Sequence, residues 1–412
     1  MCNCQTNNQY ITVTLIKAIN YKNFFLFITK YYMLFFMESI EITTVSSASD
    51  LVKFVKVPFY VYKDDPYWVP PLIFERKEHL SKNNPFFEHA KAQYFIAFRN
   101  NMPAGRISAH IDYLYIKQHK IPCGFFGFLD AIDDIGVFRK LLEAAENWLK
   151  NEGMSYIMGP FSFSINDECG LLVKGFTSSP TIMAGFAKPY YSIYIEELGY
   201  TKEKDLHGYL LDAERDLPLF MKRMIEKTKD KIIVKSINKR DFNTYTELLR
   251  NIFNDSWTNN WGFVPFTENE FRYVAKQLKH IVEDDFVNIA YYQGEPAGMI
   301  VYLPNINEII KDLNGRLFPI GFLKILYRLK FKRLKLARGI LLGVRRQYHK
   351  NILATAIVSH MIKRMQDVSI RKGVSTLDIS WVLEDNKGIT ELVERGNGML
   401  YKVFRIYGKK LI

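Results

Sequence analysis

The chain has 412 residues, 48% of them hydrophobic and 24% charged, so wholesale disorder is excluded and two or three folded domains are expected. The formal net charge of +13 favours anionic partners, which are phosphate-bearing ligands, nucleic acid or an anionic membrane. Its four cysteines form neither a disulfide framework nor a paired metal motif; this usage is typical of a reducing cytosol and indicates no metal site.

Residues 1–36 contain a short apolar run at 24–36, which Lys30 interrupts. The run is shorter than the ~20 residues that span a bilayer, and no small-residue cleavage site follows it. Two interpretations stay open: translation starts at Met37, or the segment is a peripheral membrane anchor. Residues 1–36 are therefore a doubtful N-terminal extension, and the first domain is predicted to start at residue 37.

A faint internal repeat is carried by two predicted β-hairpins, at 93–109 and 286–302. Each has two apolar runs around a polar turn, and each carries Pro-Ala-Gly at the turn exit, at 103–105 and 296–298. The repeat predicts that the two halves of the chain share one fold.

An amphipathic helix is predicted after each hairpin, over 137–150 and about 352–371, because apolar residues recur there at three- and four-residue steps. Apolar strands follow both helices, at 156–158 and 376–382. Strands that alternate with helices predict an α/β or α+β sheet in each half.

A densely polar stretch near the middle of the chain predicts the boundary between these halves. We predict an N-terminal domain over 37–212, a linker over 213–231 and a C-terminal domain over 232–412.

The second half carries motifs of a known superfamily. A strand at 340–344, a basic loop at 345–351, the helix behind it and a strand that ends near Asn386 follow the order of the GNAT superfamily of N-acetyltransferases, which the two hairpins also resemble. The resemblance implies two GNAT-like domains in tandem, each a mixed, mostly antiparallel sheet flanked by helices. It also implies acyl-CoA as a co-substrate, which contacts Val344, Arg345, Arg346, Lys350, Asn351 and Asn386.

The chemistry of the basic loop supports an anion site. Free N–H groups at a helix N-terminus bind anions, and Arg345, Arg346 and Lys350 add positive charge for a diphosphate. The superfamily's loop usually has glycines where Asn351 and Leu353 stand here, and leucine does not easily take a left-handed backbone conformation. A structural half with a solvated basic loop therefore stays open as the alternative.

Longer phrases narrow the resemblance to a bacterial tandem-GNAT family; they stand at 65–71, 84–89, 124–128, 159–173 and 188–191. The resemblance covers about residues 40–410. Some bacterial ceramide synthases, which attach a fatty acyl group to the amine of a sphingoid base, are similar to this family. It therefore implies an acyl-CoA-dependent N-acyltransferase, with a sphingoid long-chain base as the acceptor class. Two other functions stay open: non-catalytic binding of a lipid or an acyl carrier, and N-acetylation of small amines.

Candidate catalytic side chains cluster after the short strand that ends the first half's repeat, where functional loops of open sheets lie. Asp167 or Glu168 is the candidate base that frees the lone pair of the amine, and Asn166 or Ser164 is the candidate donor to the oxyanion. Ser162 is a candidate substrate contact. The alternative is that these side chains cap a helix or bond to the loop backbone.

Two further polar positions have open roles. His89 follows Glu88 and is either a tuned catalytic base or a packed structural histidine. Asn386 either contacts the cofactor or caps a helix.

Residues 316–350 hold eleven Lys and Arg and no acidic residue. A helix would place four of them on one face and apolar side chains on another, which is typical of an interfacial helix on anionic lipid. The four are Lys324, Arg328, Lys332 and Lys335. A buried helix with a solvated basic face is the alternative, and nucleic-acid binding ranks lowest because no nucleic-acid module accompanies the charge. The sequence thus predicts a cytoplasmic protein that is peripheral on the inner face of the membrane, and it indicates no oligomeric state.

Overall fold

The computed structural model describes residues 40–279, 281–349 and 351–411, so the extension 1–36 and Lys350 lie outside the described residues. Within these ranges, thirteen strands join in one sheet that runs through both halves, and twelve α-helices flank it. The α/β fold class is confirmed.

The strands, in chain order, are β1 (Ile40–Thr44), β2 (Ala90–Arg99), β3 (Met102–Asp112), β4 (Cys123–Ala131), β5 (Tyr156–Gly159), β6 (Leu171–Lys174), β7 (Thr201–Asp212), β8 (Ile232–Ser236), β9 (Val287–Tyr292), β10 (Glu295–Pro304), β11 (Leu336–Val344), β12 (Thr376–Leu383) and β13 (Met399–Lys410). The helices are α1 (Ala48–Val61), α2 (Ile73–His79), α3 (Tyr113–His119), α4 (Ile135–Asn151), α5 (Tyr190–Glu197), α6 (Leu219–Thr228), α7 (Phe242–Trp257), α8 (Glu268–Leu278), α9 (Asn307–Ile310), α10 (Gly321–Phe331), α11 (Ile352–Lys372) and α12 (Lys387–Arg395).

The sheet has the order β1-β2-β3-β4-β5-β13-β7-β12-β11-β10-β9-β8, with β6 against β13. The pairs β4–β5 and β11–β12 are parallel, and the others are antiparallel. The last strand of each half therefore lies against the sheet of the other half: β13 lies between β5 and β7, and β7 lies between β13 and β12. The boundaries 37–212, 213–231 and 232–412 stay a prediction, and α6 lies within the predicted linker.

Both predicted hairpins are present, as β2–β3 and β9–β10. Each turn has two consecutive residues with positive φ: Asn100 and Asn101 at 51° and 62°, and Gln293 and Gly294 at 52° and 90°. Such turns match the twist of the flanking strands, and asparagine and glycine tolerate the left-handed backbone that they require.

The two predicted repeat helices are also present, as α4 and α11. The carboxylate of Asp134 caps α4 by accepting hydrogen bonds from the N–H groups of Gly136 and Val137. Asn351 caps α11 in the same way, and Gly373, with φ of 79°, ends it. The apolar faces of α4 and α11 pack on the sheet in two large apolar clusters, and each cluster includes side chains of both halves.

The predicted basic helix face is wrong in part. Helix α10 ends before Lys332, its C-cap residue, because the chain turns there towards β11, and Lys335 therefore lies off the helix. Arg328 is on the helix, but it points to the body of the protein and forms two hydrogen bonds to the carboxylate of Asp312, of 2.5 and 2.7 Å. Lys324 is exposed on the helix.

Over the described ranges, every helix is too short or too polar to cross a bilayer.

Candidate functional site

The parallel strands β11 and β12 part half-way along their length. They pair from Leu336 to Gly339; beyond that point, residues 341–344 of β11 pair with β10 and, among the described residues, with none of β12. A cavity of about 250 Å³ opens in the gap, where Leu342 and Trp381 line it. The gap gives a slender ligand access to an unpaired strand edge.

A larger and more open cavity, of about 710 Å³, shares Trp257, Leu342 and Asn386 with the first one. It reaches Val344 at the end of β11 and Thr355 in the first turns of α11. We call the two cavities together the C-half cleft.

The equivalent gap of the first half, between β4 and β5, is filled by the chain itself. The N–H of Phe161 donates to the carbonyl of Phe126 at 2.8 Å. The side chains of Phe161 and Phe163 are 3% and 1% exposed. A Cβ at Gly127 would lie 1.6 Å from the Phe161 carbonyl oxygen, so only glycine permits this approach. Over the described residues, the gap between the parallel strands is filled in the first half and open in the second.

The loop that fills this gap, residues 160–170, is called the site loop below. Two buried histidines bond to consecutive carbonyl groups of the loop: His79 Nε2 lies 3.1 Å from the oxygen of Ser162, and His110 Nε2 lies 2.7 Å from the oxygen of Phe163. Burial lowers the pKa of His110 to about 3, so its imidazole is neutral and its Nε2–H is the donor. Sequence reasoning missed both histidines, because each lies within a regular element with no motif around it.

The polar side chains of the site loop have separate environments. Asp167 lies against Ser164, whose hydroxyl is 3.3 Å from its carboxylate, and burial raises the pKa of Asp167. Glu168 forms an ion pair of 3.1 Å with Arg76. Asn166 donates one amide hydrogen to the carbonyl of Val264 at 3.3 Å. A raised pKa suits a proton acceptor near neutral pH, so Asp167 is the better candidate base of the two carboxylates.

The local bonding that sequence analysis left as the alternative is also present. The hydroxyl of Ser164 accepts from the N–H of Asn166 at 3.1 Å, and the N–H of Ser162 donates to the carbonyl of Glu168 at 2.8 Å. These bonds fix the loop geometry and leave the carboxylate of Asp167 and the second amide hydrogen of Asn166 for chemistry.

The site loop forms a wall between two cavities. Asn166 and Cys169 line the C-half cleft. Ser164 and Asp167 line a separate cavity of about 460 Å³, which we call the N-half cavity. Met183 and Phe266 line both. The candidate catalytic residues of one half therefore lie beside the open cleft of the other half.

A buried cation lines the C-half cleft. Arg338 is 1% exposed, donates to Ser380 Oγ at 2.9 Å and to the carbonyl of Ile182 at 2.6 Å, and stacks 4.6 Å from the ring of Trp381. It joins the central sheet to the segment that follows β6, and sequence analysis gave it no role.

The predicted cofactor contacts lie in different places. Val344 and Asn386 line the C-half cleft, and Asn386 also caps α12 through Ile389. Arg345 donates to the carbonyl of Pro296 at 2.9 Å, and so it contacts the β9–β10 hairpin.

Arg346 forms an ion pair of 3.1 Å with Asp255, and half of its side chain is exposed. Asn351 caps α11 and accepts from the N–H of Leu353 at 3.2 Å. Lys350 lies outside the described residues.

His89 does not have the environment of a base. Its Nδ1 lies 3.0 Å from a carboxylate oxygen of Asp112, and its Nε2 lies 3.0 Å from one of Glu270. Burial alone would lower the pKa of His89, but the hydrogen bonds and charges of Asp112 and Glu270 raise it to about 10. The imidazole is therefore protonated at neutral pH and holds no free lone pair, so the interpretation of His89 as a base is corrected to an ion pair that joins the two halves.

Comparisons with known proteins agree with this architecture. No family model matches the chain. The chain is 42% identical over 371 residues to Protein YghO of Escherichia coli K12, across 90% of this chain and 95% of that protein. It is 38% identical over 375 residues to the bacterial ceramide synthase of Caulobacter vibrioides, across 90% and 98%. A solved tandem GNAT protein from the clavulanic acid biosynthesis pathway superposes with a TM-score of 0.53 at 10% identity, across 91% of this chain and 99% of that one, which shows the fold.

The ion pairs of His89 predict a pH-dependent stability. A histidine whose pKa rises from 6.5 to about 10 stabilises the fold fully below pH 6.5, and this contribution is lost as the pH rises through 10. Replacing His89 by Gln should lower the free energy of unfolding by about 3–5 kcal/mol near pH 6, because one buried and one half-buried carboxylate lose their cation. Urea unfolding across this range should show the deficit of the variant narrowing as the pH rises; a deficit that is constant with pH would contradict the assignment.

Proposed function

This chain belongs to the bacterial tandem GNAT-like acyltransferases, and on that basis we propose that it transfers an acyl group from acyl-CoA to an amine. The observation that carries the proposal is the parting of β11 and β12, which leaves a polar strand edge facing an open cleft. The amide groups of a pantetheine arm can pair with such an edge, as a further strand would. The first half offers no such edge, because Phe161 fills its gap.

The donor is assigned to the C-half cleft, with the acyl end at its inner part and the diphosphate near the start of α11. The N-terminus of α11 is capped by the neutral amide of Asn351, which leaves the helix dipole free to attract an anion. Its counterpart α4 is capped by the carboxylate of Asp134, which binds the N–H groups of Gly136 and Val137 and forms an ion pair of 2.6 Å with Arg99. Asp133 adds a further negative charge beside it, which disfavours a diphosphate. Both differences support the proposal that the donor binds in the second half.

The chemistry is assigned to the site loop. An amine is protonated at neutral pH, so a base must take a proton before the nitrogen attacks the thioester carbon. The carboxylate of Asp167 takes that proton, and an amide hydrogen of Asn166 stabilises the developing oxyanion. The C–N bond forms, the C–S bond breaks, and the sulfur leaves as a thiolate. The nitrogen loses its second proton, which protonates the thiolate to CoA. The products are an N-acyl amide and CoA.

The proposed acceptor is a long-chain amine of the sphingoid type. Support comes from the relative named bacterial ceramide synthase, which is 38% identical along almost its whole length. An assay must distinguish acyl transfer to a long-chain amine from two other functions. These are binding of a lipid or an acyl carrier without turnover, and acetylation of small amines.

We further propose that α10 and the segment before it lie on an anionic membrane. This region exposes a run of large apolar side chains that are 47–70% accessible: Phe318, Ile320, Phe322, Leu323, Leu326, Tyr327 and Phe331. The exposed cations Lys324, Lys330 and Lys332 are interspersed among them. Apolar side chains ringed by lysines are typical of a helix in the interface of an anionic bilayer.

The membrane surface gives the first prediction. Reversing the charge of Lys324 and Lys330 to Glu, together with Leu323→Ser, should weaken binding to phosphatidylcholine vesicles that contain phosphatidylglycerol by more than about tenfold, because each basic residue contributes about 1 kcal/mol near such a surface. Sedimentation with vesicles at low salt measures it. The matched control reverses Lys117 and Lys120, which are exposed at the end of α3, and should bind as the unchanged protein does. Equal losses of vesicle binding in both variants would mean that the net charge of the protein, and not this surface, determines membrane binding.

The reaction gives the second prediction. Asp167→Asn should reduce turnover roughly 10²–10⁴-fold, and Asn166→Ala should reduce it roughly 10²–10³-fold. Acyl transfer from a long-chain acyl-CoA to a long-chain amine is followed by mass spectrometry, with thermal stability measured on the same samples.

Glu168→Gln is the matched control. Its carboxylate is ion-paired with Arg76, so the substitution should lower the melting temperature and leave most of the turnover per folded molecule. Full activity of the Asp167→Asn variant would mean that another residue is the base. Turnover with small amines alone would contradict the lipid acceptor, and no turnover with any donor would favour the binding protein.

A further inference from the structure

The N-half cavity lies on the other side of the site loop from the proposed donor cleft, and it has a chemistry of its own. Six carboxylates and two guanidinium groups line it: Glu75, Glu78, Asp130, Asp167, Glu168 and Glu270, with Arg76 and Arg106. This excess of negative charge is opposite to the net charge of +13 of the whole chain.

Ion pairs neutralise part of that charge. Arg76 pairs with Glu75 and Glu168, and Arg106 pairs with Asp130. The cation of His89, which lies behind the lining, pairs with Glu270.

Two carboxylates are left over. Neither Glu78 nor Asp167 has a cationic side chain within ion-pair distance among the described residues. Asp167 contacts the hydroxyl and the N–H of Ser164. Glu78 is exposed, whereas Asp167 is half-buried, and a half-buried negative charge without a cation favours a cationic ligand.

Two polar side chains of α8, Tyr273 and Gln277, also line the N-half cavity. The amide of Gln277 interacts with the hydroxyl of Tyr273 one helical turn away, so this wall of the cavity is polar but uncharged.

The mouth of the cavity adjoins the proposed membrane surface. Leu72, Phe74 and Ile310 line the cavity, and the side chain of Phe74 is 60% exposed. Ile310 and Leu72 belong to the same apolar cluster that the inner face of α10 packs against, through Ile325. A ligand with an apolar tail can therefore have its polar end in the cavity and its tail along this apolar rim.

We propose that the N-half cavity is the binding site of the amine acceptor, which is held by its ammonium group near Asp167 and Glu78 and reaches the cavity from the side of α10. The assignment rests on the proposed acyl transfer. It divides the two substrates between the halves: acyl-CoA occupies the C-half cleft, the cationic lipid occupies the N-half cavity, and they meet past Met183 and Phe266, which line both cavities. Proton transfer from the ammonium group to Asp167 takes place inside the acceptor site.

A direct test measures binding without turnover. The full chain is titrated with dodecylamine, dodecan-1-ol and dodecanoate below their micelle concentrations, by calorimetry or native mass spectrometry. We expect dodecylamine to bind at least about tenfold more tightly than the alcohol, and the double variant Asp167→Asn/Glu78→Gln to remove that preference. Equal affinity of the unchanged protein for the amine and the alcohol would overturn the proposal.

The location is tested by filling the cavity. Val274 lines it on α8, and Lys276 is exposed on the same helix. Val274→Trp should raise the KM for the amine at least about tenfold and leave the KM for acyl-CoA within about twofold, while Lys276→Trp should change neither. If Val274→Trp does not fold, Gln277→Leu, which removes a polar group from the cavity wall, should raise the KM for the amine alone.

The outcomes distinguish this inference from the function on which it rests. Acyl transfer that persists in Val274→Trp with an unchanged KM for the amine would overturn the acceptor site and leave the proposed reaction intact. Amine binding that Val274→Trp abolishes, in a protein that transfers no acyl group, would keep the site and overturn the reaction.

Discussion

The antiparallel pairing of β7 with β13 holds both halves of the chain in one sheet, because each of these long strands also pairs with the short parallel strand of the other half. This exchange of strands between the halves gives the backbone N–H and C=O groups of β7 and β13 hydrogen-bond partners on both sides. The two halves therefore cannot separate without breaking hydrogen bonds between strands. The exchange also brings the site loop, which follows β5, against the cleft that opens beside β12. The candidate base and the candidate donor cleft come from different halves and meet because of this exchange.

Both halves contain a hairpin followed by a strand, a helix and a second strand parallel to the first, and they differ at the point where these parallel strands part. Where two parallel strands part, their facing N–H and C=O groups need partners. In the first half, Phe161 supplies them, and Phe163 and its aromatic neighbours fill the space. In the second half the gap stays open. The filled gap of the first half gives a wall that His79 and His110 hold, and the open gap of the second half gives a cleft; the site that we propose combines the two.

Local pattern was enough to predict much of the fold. The hairpins at 93–109 and 286–302 and the two repeat helices follow from turn residues and apolar periodicity, which act within a few residues. The insertion of β13 between β5 and β7 joins residues that are far apart in the chain, and no local pattern indicates it. The site loop fills the gap between β4 and β5 through contacts between residues that are distant in the sequence, so its phenylalanines alone did not predict this role.

The candidate site shows the same division. Sequence analysis named Asp167 and Glu168 together as candidate bases because they are neighbours in the site loop. The ion pair with Arg76 distinguishes Glu168 from Asp167, and Arg76 comes from a helix that is distant in the sequence. The interpretation of His89 as a base was wrong because Glu270, which is distant in the sequence, forms an ion pair with it from the other half. The helix face that was expected to include Lys335 failed because periodicity in a basic segment does not show where a helix ends.

The central claim is that acyl-CoA binds the second half alone. Hydrogen–deuterium exchange with and without a non-hydrolysable thioether analogue of a long-chain acyl-CoA tests it most directly, because a bound pantetheine arm protects the strand edge with which it pairs. The account predicts slower exchange in residues 340–344 and in the first turns of α11, with residues 126–137 of the first half unchanged. Protection of residues 126–137, or no protection in either half at saturating analogue, would contradict it.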